Sequence, residues 1–150
     1  MSPTDLSVLL LQTAASWYMV GFIWTMQILH YPLFDRVGRD AFASYETEHN
    51  RRFGLLVGPG IVLVAVTSII QLVTRPMSTP LLAAIAEVLL LVVIIVSTVL
   101  YQAPQHARLS SGFDAAVYRT LVRSNWVRTG AWSALGVLDL WLIWQGAPHS

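Results

Sequence analysis

Three of the four histidines in this 150-residue chain lie where apolar segments begin or end, so they can meet at one end of a helical bundle. His30 follows the first apolar segment, His49 precedes the second, and His106 follows the third. Glu46 lies three residues before His49, so the two side chains share one face of a helix. Because imidazole and carboxylate groups ligate transition metals, the sequence predicts a metal centre held by His30, His49, His106 and Glu46.

The residue types at this centre favour copper or iron as the bound ion. Imidazole suits both metals, and the thioether of Met26, one turn before His30, favours copper. Haem b is an alternative cofactor, with two histidines as axial ligands and arginines such as Arg52 pairing with the propionates. A carboxylate-bridged di-iron site would need a second Glu-x-x-His motif, which the sequence lacks.

Other polar residues near the same end are suited to binding and polarising a substrate. Asn125, Trp126 and Arg128 combine an amide, an aromatic wall and a fixed cation, which can position a planar anion without a metal. Tyr45 lies on the same predicted helix as the Glu-x-x-His motif and can donate a proton or a hydrogen atom. We therefore predict that Tyr45, Asn125 and Arg128 are catalytic, and that Trp126 and Arg52 bind the cofactor or substrate.

Two acidic residues form a second polar feature at the opposite end of the predicted bundle. Glu87 and Asp139 lie inside the third and fourth apolar segments at matching depths, where a carboxyl group is a candidate for function. They could share a proton or a cation. This feature supports an alternative function, that of a small oligomeric transporter or ligand-binding membrane protein. A structural accessory subunit that packs through small residues is a further alternative.

The composition predicts an integral membrane protein. Hydrophobic residues make up 55% of the chain and charged residues 11%, whereas soluble domains have about 25% charged residues. Four apolar segments, near 8–29, 53–73, 81–101 and 126–144, approach the ~20 residues that cross a bilayer. The fold class is therefore predicted to be all-α, a four-helix membrane bundle forming a single domain over residues 1–150.

The positions of the arginines predict how the bundle is oriented. Most of them lie in the two long connections that follow the first and third apolar segments, which places both connections in the cytoplasm and both termini outside. We expect a multi-pass protein of the inner (plasma) membrane. The N-terminus lacks the basic residues of a signal peptide, so the first helix is expected to be retained.

The predicted second and fourth helices extend beyond the bilayer on the cytoplasmic side. Asp40 and Asp114 suit the N-cap position, and a helix over 40–73 would be ~50 Å long at 1.5 Å per residue. Pro59 should kink that helix, and Pro104 should break the chain after the third segment.

A weak internal similarity predicts two helix hairpins related by a parallel repeat. The residues that resemble one another are Asp40, Tyr45, Asn50 and Gly54 in the first half and Asp114, Tyr118, Asn125 and Gly130 in the second.

Composition also limits the partners and the chemistry. Cys is absent, so disulfides and thiolate chemistry are excluded, and a net charge of +1 gives no field for binding nucleic acid. The expected partners are the lipid bilayer and a hydrophobic small-molecule substrate, and a homo-oligomer is an open alternative.

Several short blocks together resemble a group of small, uncharacterised bacterial four-helix integral membrane proteins. The blocks are His30-Tyr31-Pro32-Leu33-Phe34, Tyr45, His49-Asn50-Arg51-Arg52, Gly112-Phe113-Asp114 and Asn125-Trp126-x-Arg128-Thr129. This resemblance covers nearly the whole chain and implies the topology, but it names no reaction. The His-x-Pro pattern at His30 is also distantly similar to the anthrone-oxygenase-like membrane family, which implies redox chemistry on polycyclic phenolics.

These observations favour a membrane-embedded, metal-dependent oxidoreductase or oxygenase-like enzyme. Its substrate would be a hydrophobic small molecule that enters from the bilayer and reaches a histidine-rich site on the cytoplasmic face.

Overall fold

The chain folds into helices joined by short turns. A computed structural model describes residues 2–74 and 79–146, so Arg75 and His149 lie outside the described residues. The α-helices are α1 (Pro3–Thr25), α2 (Arg39–Thr74), α3 (Leu81–Ser97), α4 (Ala103–Leu109) and α5 (Ala115–Gly146). Helices α1 and α3 each pack against both α2 and α5, so the four long helices surround one axis in chain order. The predicted four-helix, all-α architecture is confirmed for this part of the chain.

Three helical stretches are long and apolar enough to cross a membrane: Pro3–Arg36, Arg39–Thr74 and Leu81–Leu109. Large apolar side chains cover the outside of the bundle, and Val73 and Leu82 are 75% and 80% exposed. Such a surface suits contact with lipid acyl chains.

Helix α5 is not among these three stretches, and charged residues interrupt its apolar sequence. Arg128 and Asp139 both lie within it and point into the bundle, where each is almost fully buried. It stays a prediction that α5 crosses the membrane, that the arginine-rich end of the bundle faces the cytoplasm, and that the two halves of the chain form a repeat.

Helices α2 and α5 begin well before the apolar segments near 53–73 and 126–144, and the position of these extra turns beyond the bilayer stays a prediction. Helix α2 begins at Arg39, which places Asp40 in its first turn rather than at the N-cap. Asp114 does cap α5, because its Oδ1 accepts hydrogen bonds from the backbone N–H groups of Ala116 and Val117 at 2.7 and 3.1 Å. Gly112, with a φ of +136°, turns the chain just before this cap.

Two π turns allow the chain to stay helical up to a proline. The first π turn (Met26–His30) leads into a 3₁₀ turn (Tyr31–Arg36), and the second (Thr98–Gln102) leads into α4. Pro32 and Pro104 each follow the end of a π turn by two residues. Proline has no N–H to complete the regular hydrogen-bond ladder of an α-helix, and a wider turn is a common way for a helix to pass such an interruption. The expected break at Pro104 is therefore replaced by continuous helix.

Three apolar cores hold the bundle together, and the smallest of them contains Leu9, Ala83 and Leu142. The central core includes Met19, Ile23, Val64, Ile94 and Trp132, and Gly60 lets α1 and α2 approach there, since a Cβ on it would lie 2.7 Å from Met19 Sδ. The second core lies at the arginine-rich end, where α2 begins and α4 joins α5. Its fully buried members are Tyr31, Phe34, Phe42, Leu109 and Leu121. This second core fixes the turns that carry the predicted site.

The N-cap of α5 gives a prediction about stability. Hydrogen bonds from the backbone of Val117 and Ala116 lower the pKa of Asp114, so its ionised form stabilises the fold. This stabilisation is present above pH 3.8, the ordinary pKa of Asp114, and is lost as pH falls through the lowered pKa of the folded state. We expect Asp114→Ala to unfold at a lower temperature than wild type at pH 7, with the gap narrowing below pH 3.8.

Thermal unfolding in mild detergent, followed by circular dichroism between pH 3 and pH 7, measures this difference. Asp114→Asn is the matched control, because asparagine caps a helix as well as aspartate does, so it should unfold close to wild type at pH 7. An Ala variant as stable as wild type at neutral pH would show that the cap contributes nothing.

Candidate functional site

The structure brings all four predicted metal ligands together at the arginine-rich end. We call His30, Glu46, His49 and His106 the histidine cluster. His30 Nε2 lies 3.1 Å from His49 Nδ1, and the two rings are stacked with centroids 4.8 Å apart. The ring centroids of His49 and His106 are 5.3 Å apart. The first π turn, helix α2 and helix α4 therefore each contribute side chains to one compact group.

Within this cluster, Glu46, His106 and Tyr31 form a buried chain of hydrogen bonds. Glu46 Oε1 lies 2.5 Å from His106 Nδ1, and His106 Nε2 lies 3.2 Å from the Tyr31 hydroxyl. With Glu46 ionised and His106 neutral, the carboxylate only accepts hydrogen bonds, so Nδ1 carries the imidazole proton and Nε2 accepts the hydrogen of Tyr31. Glu46 therefore fixes the tautomer of His106 and makes it a base directed at Tyr31. We call these three residues the proton relay.

The cluster thus consists of two pairs rather than one four-ligand centre. Among residues 2–74 and 79–146, no group of three or more His, Asp or Glu side chains is arranged to hold a metal ion. The pair formed by His30 and His49 is the part that suits one. Two nitrogens bound to one tetrahedral ion at about 2.0–2.1 Å lie about 3.3 Å apart, close to the 3.1 Å between these two. The other ring nitrogen of His49, Nε2, is buried without a partner.

A cavity of about 630 Å³ opens beside the His30 and His49 pair, between the end of α1 and the first half of α2. We call it the first cavity. Its walls combine polar side chains, among them Tyr45 and Arg52, with the apolar side chains of Phe22, Met26, Phe53 and Leu56. This division into a polar end and an apolar end suits an amphiphilic molecule.

Two of the other predicted residues connect α5 to the first helical stretch. Asn125 Nδ2 donates a hydrogen bond to Gln27 Oε1 at 2.8 Å, inside the bundle. Trp126 is 51% exposed and packs edge-to-face against Trp24, with ring centroids 5.6 Å apart. Asn125 therefore holds the first π turn in place, and Trp126 lies on the outer surface.

Arg128 lies inside the bundle next to the proton relay. It is 2% exposed, it hydrogen-bonds to Tyr31, and its guanidinium carbon is 5.9 Å from the centroid of Phe53. It also lines a second, smaller cavity of about 330 Å³. Of the predicted catalytic residues, Arg128 is thus the one in direct contact with the relay.

Tyr31, Gln27 and Phe53 have roles in this site that the sequence reasoning did not assign. Four tyrosines lie near this end in the sequence and Tyr45 is the predicted catalytic one, whereas the fully buried tyrosine that contacts His106 is Tyr31. The signal was present, because Tyr31 belongs to the His-Tyr-Pro block. Gln27 likewise stands out as an amide within an apolar segment.

A second polar cluster lies at the other end of the bundle and includes Glu87 and Asp139. Gln12 Nε2 donates to Asp139 Oδ1 at 2.9 Å, and Gln71 Nε2 lies 2.6 Å from Gln12 Oε1 and 3.5 Å from Glu87 Oε2. The two carboxyl groups lie next to each other, and Glu87 Oε1 and Asp139 Oδ2 have no other partner. These four residues, which we call the carboxyl cluster, come from α1, α2, α3 and α5.

Comparisons with protein-family models, with curated proteins and with solved structures find no match for this chain. The two family resemblances therefore stay predictions, and the functional argument depends on the geometry of the site.

The proton relay gives a prediction about stability. Tyr31→Phe removes the hydroxyl that pairs with both His106 and Arg128, and leaving buried polar groups unpaired costs about 1–3 kcal/mol. We expect the free energy of unfolding in mixed micelles to fall by that amount. Tyr45→Phe is the control, with an expected change within about 0.5 kcal/mol because Tyr45 is partly exposed. Equal losses in the two variants would contradict the assigned pairing.

Proposed function

We propose that this protein is a membrane-embedded, metal-dependent oxidoreductase that acts on an amphiphilic, lipid-soluble molecule. The observation that carries the proposal is the pairing of His30 and His49 on the wall of the first cavity, with ring nitrogens 3.1 Å apart. These two residues would hold the ion, copper or iron, and Met26 on the same wall favours copper. When bound, the metal would supply one-electron or oxygen-activating chemistry.

A single ion fits this pair better than haem b does. The two rings are stacked with an interplanar angle of 29°, and their facing nitrogens are only a hydrogen-bond distance apart. Axial ligation would instead require the histidines to lie on opposite faces of a porphyrin. The arrangement therefore supports a bare ion, which His30 and His49 would hold at the wall of the first cavity.

The shape and lining of the first cavity support a phenol or a quinone-like molecule as substrate. Its apolar part would lie against Phe22, Met26 and Leu56, which form the apolar part of the cavity wall. Its oxygen-bearing head would lie near Tyr45 and Arg52. Arg52 is held there by Glu48, whose Oε1 lies 2.6 Å from Arg52 Nε.

The proton relay does not line the first cavity, but the ring of His106 lies 5.3 Å from that of His49, so the relay would receive the proton that oxidation of a hydroxyl group releases by way of His49. Tyr31 can pass its hydroxyl proton to His106 Nε2, and the Glu46 carboxylate stabilises the imidazolium that results. Because Tyr31 and Glu46 are fully buried, this proton is shielded from solvent during the transfer.

We further propose that the bundle lies in the inner membrane. Its histidine cluster would face the cytoplasm, as the arginine positions predict. The two π turns, each two residues before a proline, support the predicted parallel repeat. In such a repeat, Gln102 and Ser124, linked at 2.8 Å, would be the counterparts of His30 and His49. The repeat would thus carry a metal site in one half alone.

Transport is a second candidate function, and the carboxyl cluster is the observation that favours it. Glu87 and Asp139 are fully buried, adjacent and bonded to amides instead of bases, so they share a proton rather than both being ionised. A proton-binding pair inside a bundle of apolar helices is typical of proton-coupled transporters. Four helices would need to oligomerise to enclose a pathway.

The metal proposal predicts the metal content of the purified protein. We expect about one copper or iron atom per chain after expression with both metals supplied, and loss of that metal in His49→Ala. Elemental analysis of detergent-purified protein measures this. Tyr45→Phe is the control, because it lies on the same cavity wall and should keep its metal. Wild-type protein that binds neither metal would overturn the proposal.

The transport candidate predicts an effect of Glu87→Gln on proton flux. In liposomes with an imposed pH gradient, the variant should conduct no faster than protein-free vesicles, because an amide cannot carry the shared proton. Its melting temperature should stay near that of wild type, since glutamine keeps the bond to Gln71. Glu48→Gln, at the arginine-rich end, is the control. Wild-type flux no higher than background would exclude this function.

A further inference from the structure

The second cavity, of about 330 Å³, shares Phe53 with the first cavity and includes His106 of the proton relay in its wall. Helix α2 contributes Asn50 and Phe53 to it, the second π turn contributes Gln102, and α4 contributes His106 and Ala107. The guanidinium of Arg128, from α5, completes the wall. The cavity is near the lower end of the size range for ligand sites.

Arg128 is a buried cation that forms no ion pair within the part of the chain that the structure describes. It is 2% exposed, and no carboxylate within residues 2–74 and 79–146 forms an ion pair with it. Its hydrogen-bond partner Tyr31 is a neutral phenol, and its Nε has no partner at all. An uncompensated charge in an apolar interior is costly, so a residue in this position calls for an anion from outside the chain.

We propose that the second cavity binds a monocarboxylate with a short apolar body, and that its carboxylate pairs with Arg128. The planar guanidinium can donate two parallel hydrogen bonds to a carboxylate, which is the geometry that arginine favours. The body of the ligand would lie against Phe53, Ala103 and Ala107. This inference goes beyond the proposed oxidoreductase, because it concerns a different cavity and requires no metal.

The other polar groups of the cavity explain why the ligand carries a single charge. Asn50 Nδ2 already donates to Glu46 and Ser110, each at 3.3 Å, and Gln102 Nε2 already donates to Ser124. The free atom of Gln102 is Oε1, a buried acceptor that disfavours additional negative charge. One guanidinium therefore balances one carboxylate, whereas a phosphate dianion would leave a charge uncompensated.

Benzoate is a suitable probe, and benzamide is its uncharged counterpart of the same shape. We expect the melting temperature of the full-length, detergent-purified protein to rise with benzoate concentration and to stay unchanged with benzamide. In Arg128→Met, the dissociation constant for benzoate taken from this titration should be at least about tenfold weaker, as the loss of a charge-assisted hydrogen bond predicts. Arg123→Met, an exposed arginine on the same helix, should bind benzoate as wild type does.

A second variant keeps the test decisive if Arg128→Met does not fold. Ala107 is exposed and lines the cavity, so Ala107→Leu should fold normally and abolish the benzoate effect by filling the space. Equal protection by benzamide, equal protection by chloride, or an unchanged benzoate affinity in Ala107→Leu would each overturn the carboxylate site. The same holds if benzoate fails to stabilise the wild-type protein.

Discussion

A polar side chain inside a bundle of apolar helices must find its partner on another helix, because neither acyl chains nor packed hydrocarbon can replace water. In this protein such partners are found near both ends of the bundle. Near one end, Gln12 joins α1 to Asp139 of α5, and near the other, Glu46 of α2 joins His106 of α4. Apolar packing alone tolerates sliding and rotation of helices in lipid, whereas these bonds allow one register. The positions of both cavities depend on that register.

The partners of the charged side chains also give those side chains different roles. The exposed carboxylate of Glu48 pairs with Arg51 and Arg52 on the surface, whereas the buried carboxylate of Glu46 orients an imidazole. Phe53 stands between the two cavities and is shared by their walls. A molecule in either cavity would therefore contact the same aromatic ring, although the polar groups available to it differ.

Much of the fold follows from patterns that a single sequence displays. Long apolar segments predict the helices, and the N-cap at Asp114 and the length of α2 are borne out. The meeting of His30, His49 and His106 was also predictable, since each residue lies where an apolar segment begins or ends. What hydropathy does not encode is the rotation of each helix about its axis. That rotation decides that Tyr31 rather than Tyr45 contacts His106, and that the imidazoles form pairs instead of one ligand set.

The π turns have a consequence for comparing this chain with others. A π turn holds one more residue than the α-turn it replaces, so it is equivalent to a single-residue insertion within a helix. Because an i→i+5 turn takes one residue more than an i→i+4 turn to complete the same rotation, the extra residue is absorbed within Met26–His30 and the chain beyond it keeps its orientation. Deleting one residue from this turn would therefore restore a regular helix and leave His30 and Tyr31 facing α2 and α4. A chain that shares this site can thus have one residue fewer between Gln27 and Pro32, and its alignment then needs a one-residue gap at this turn.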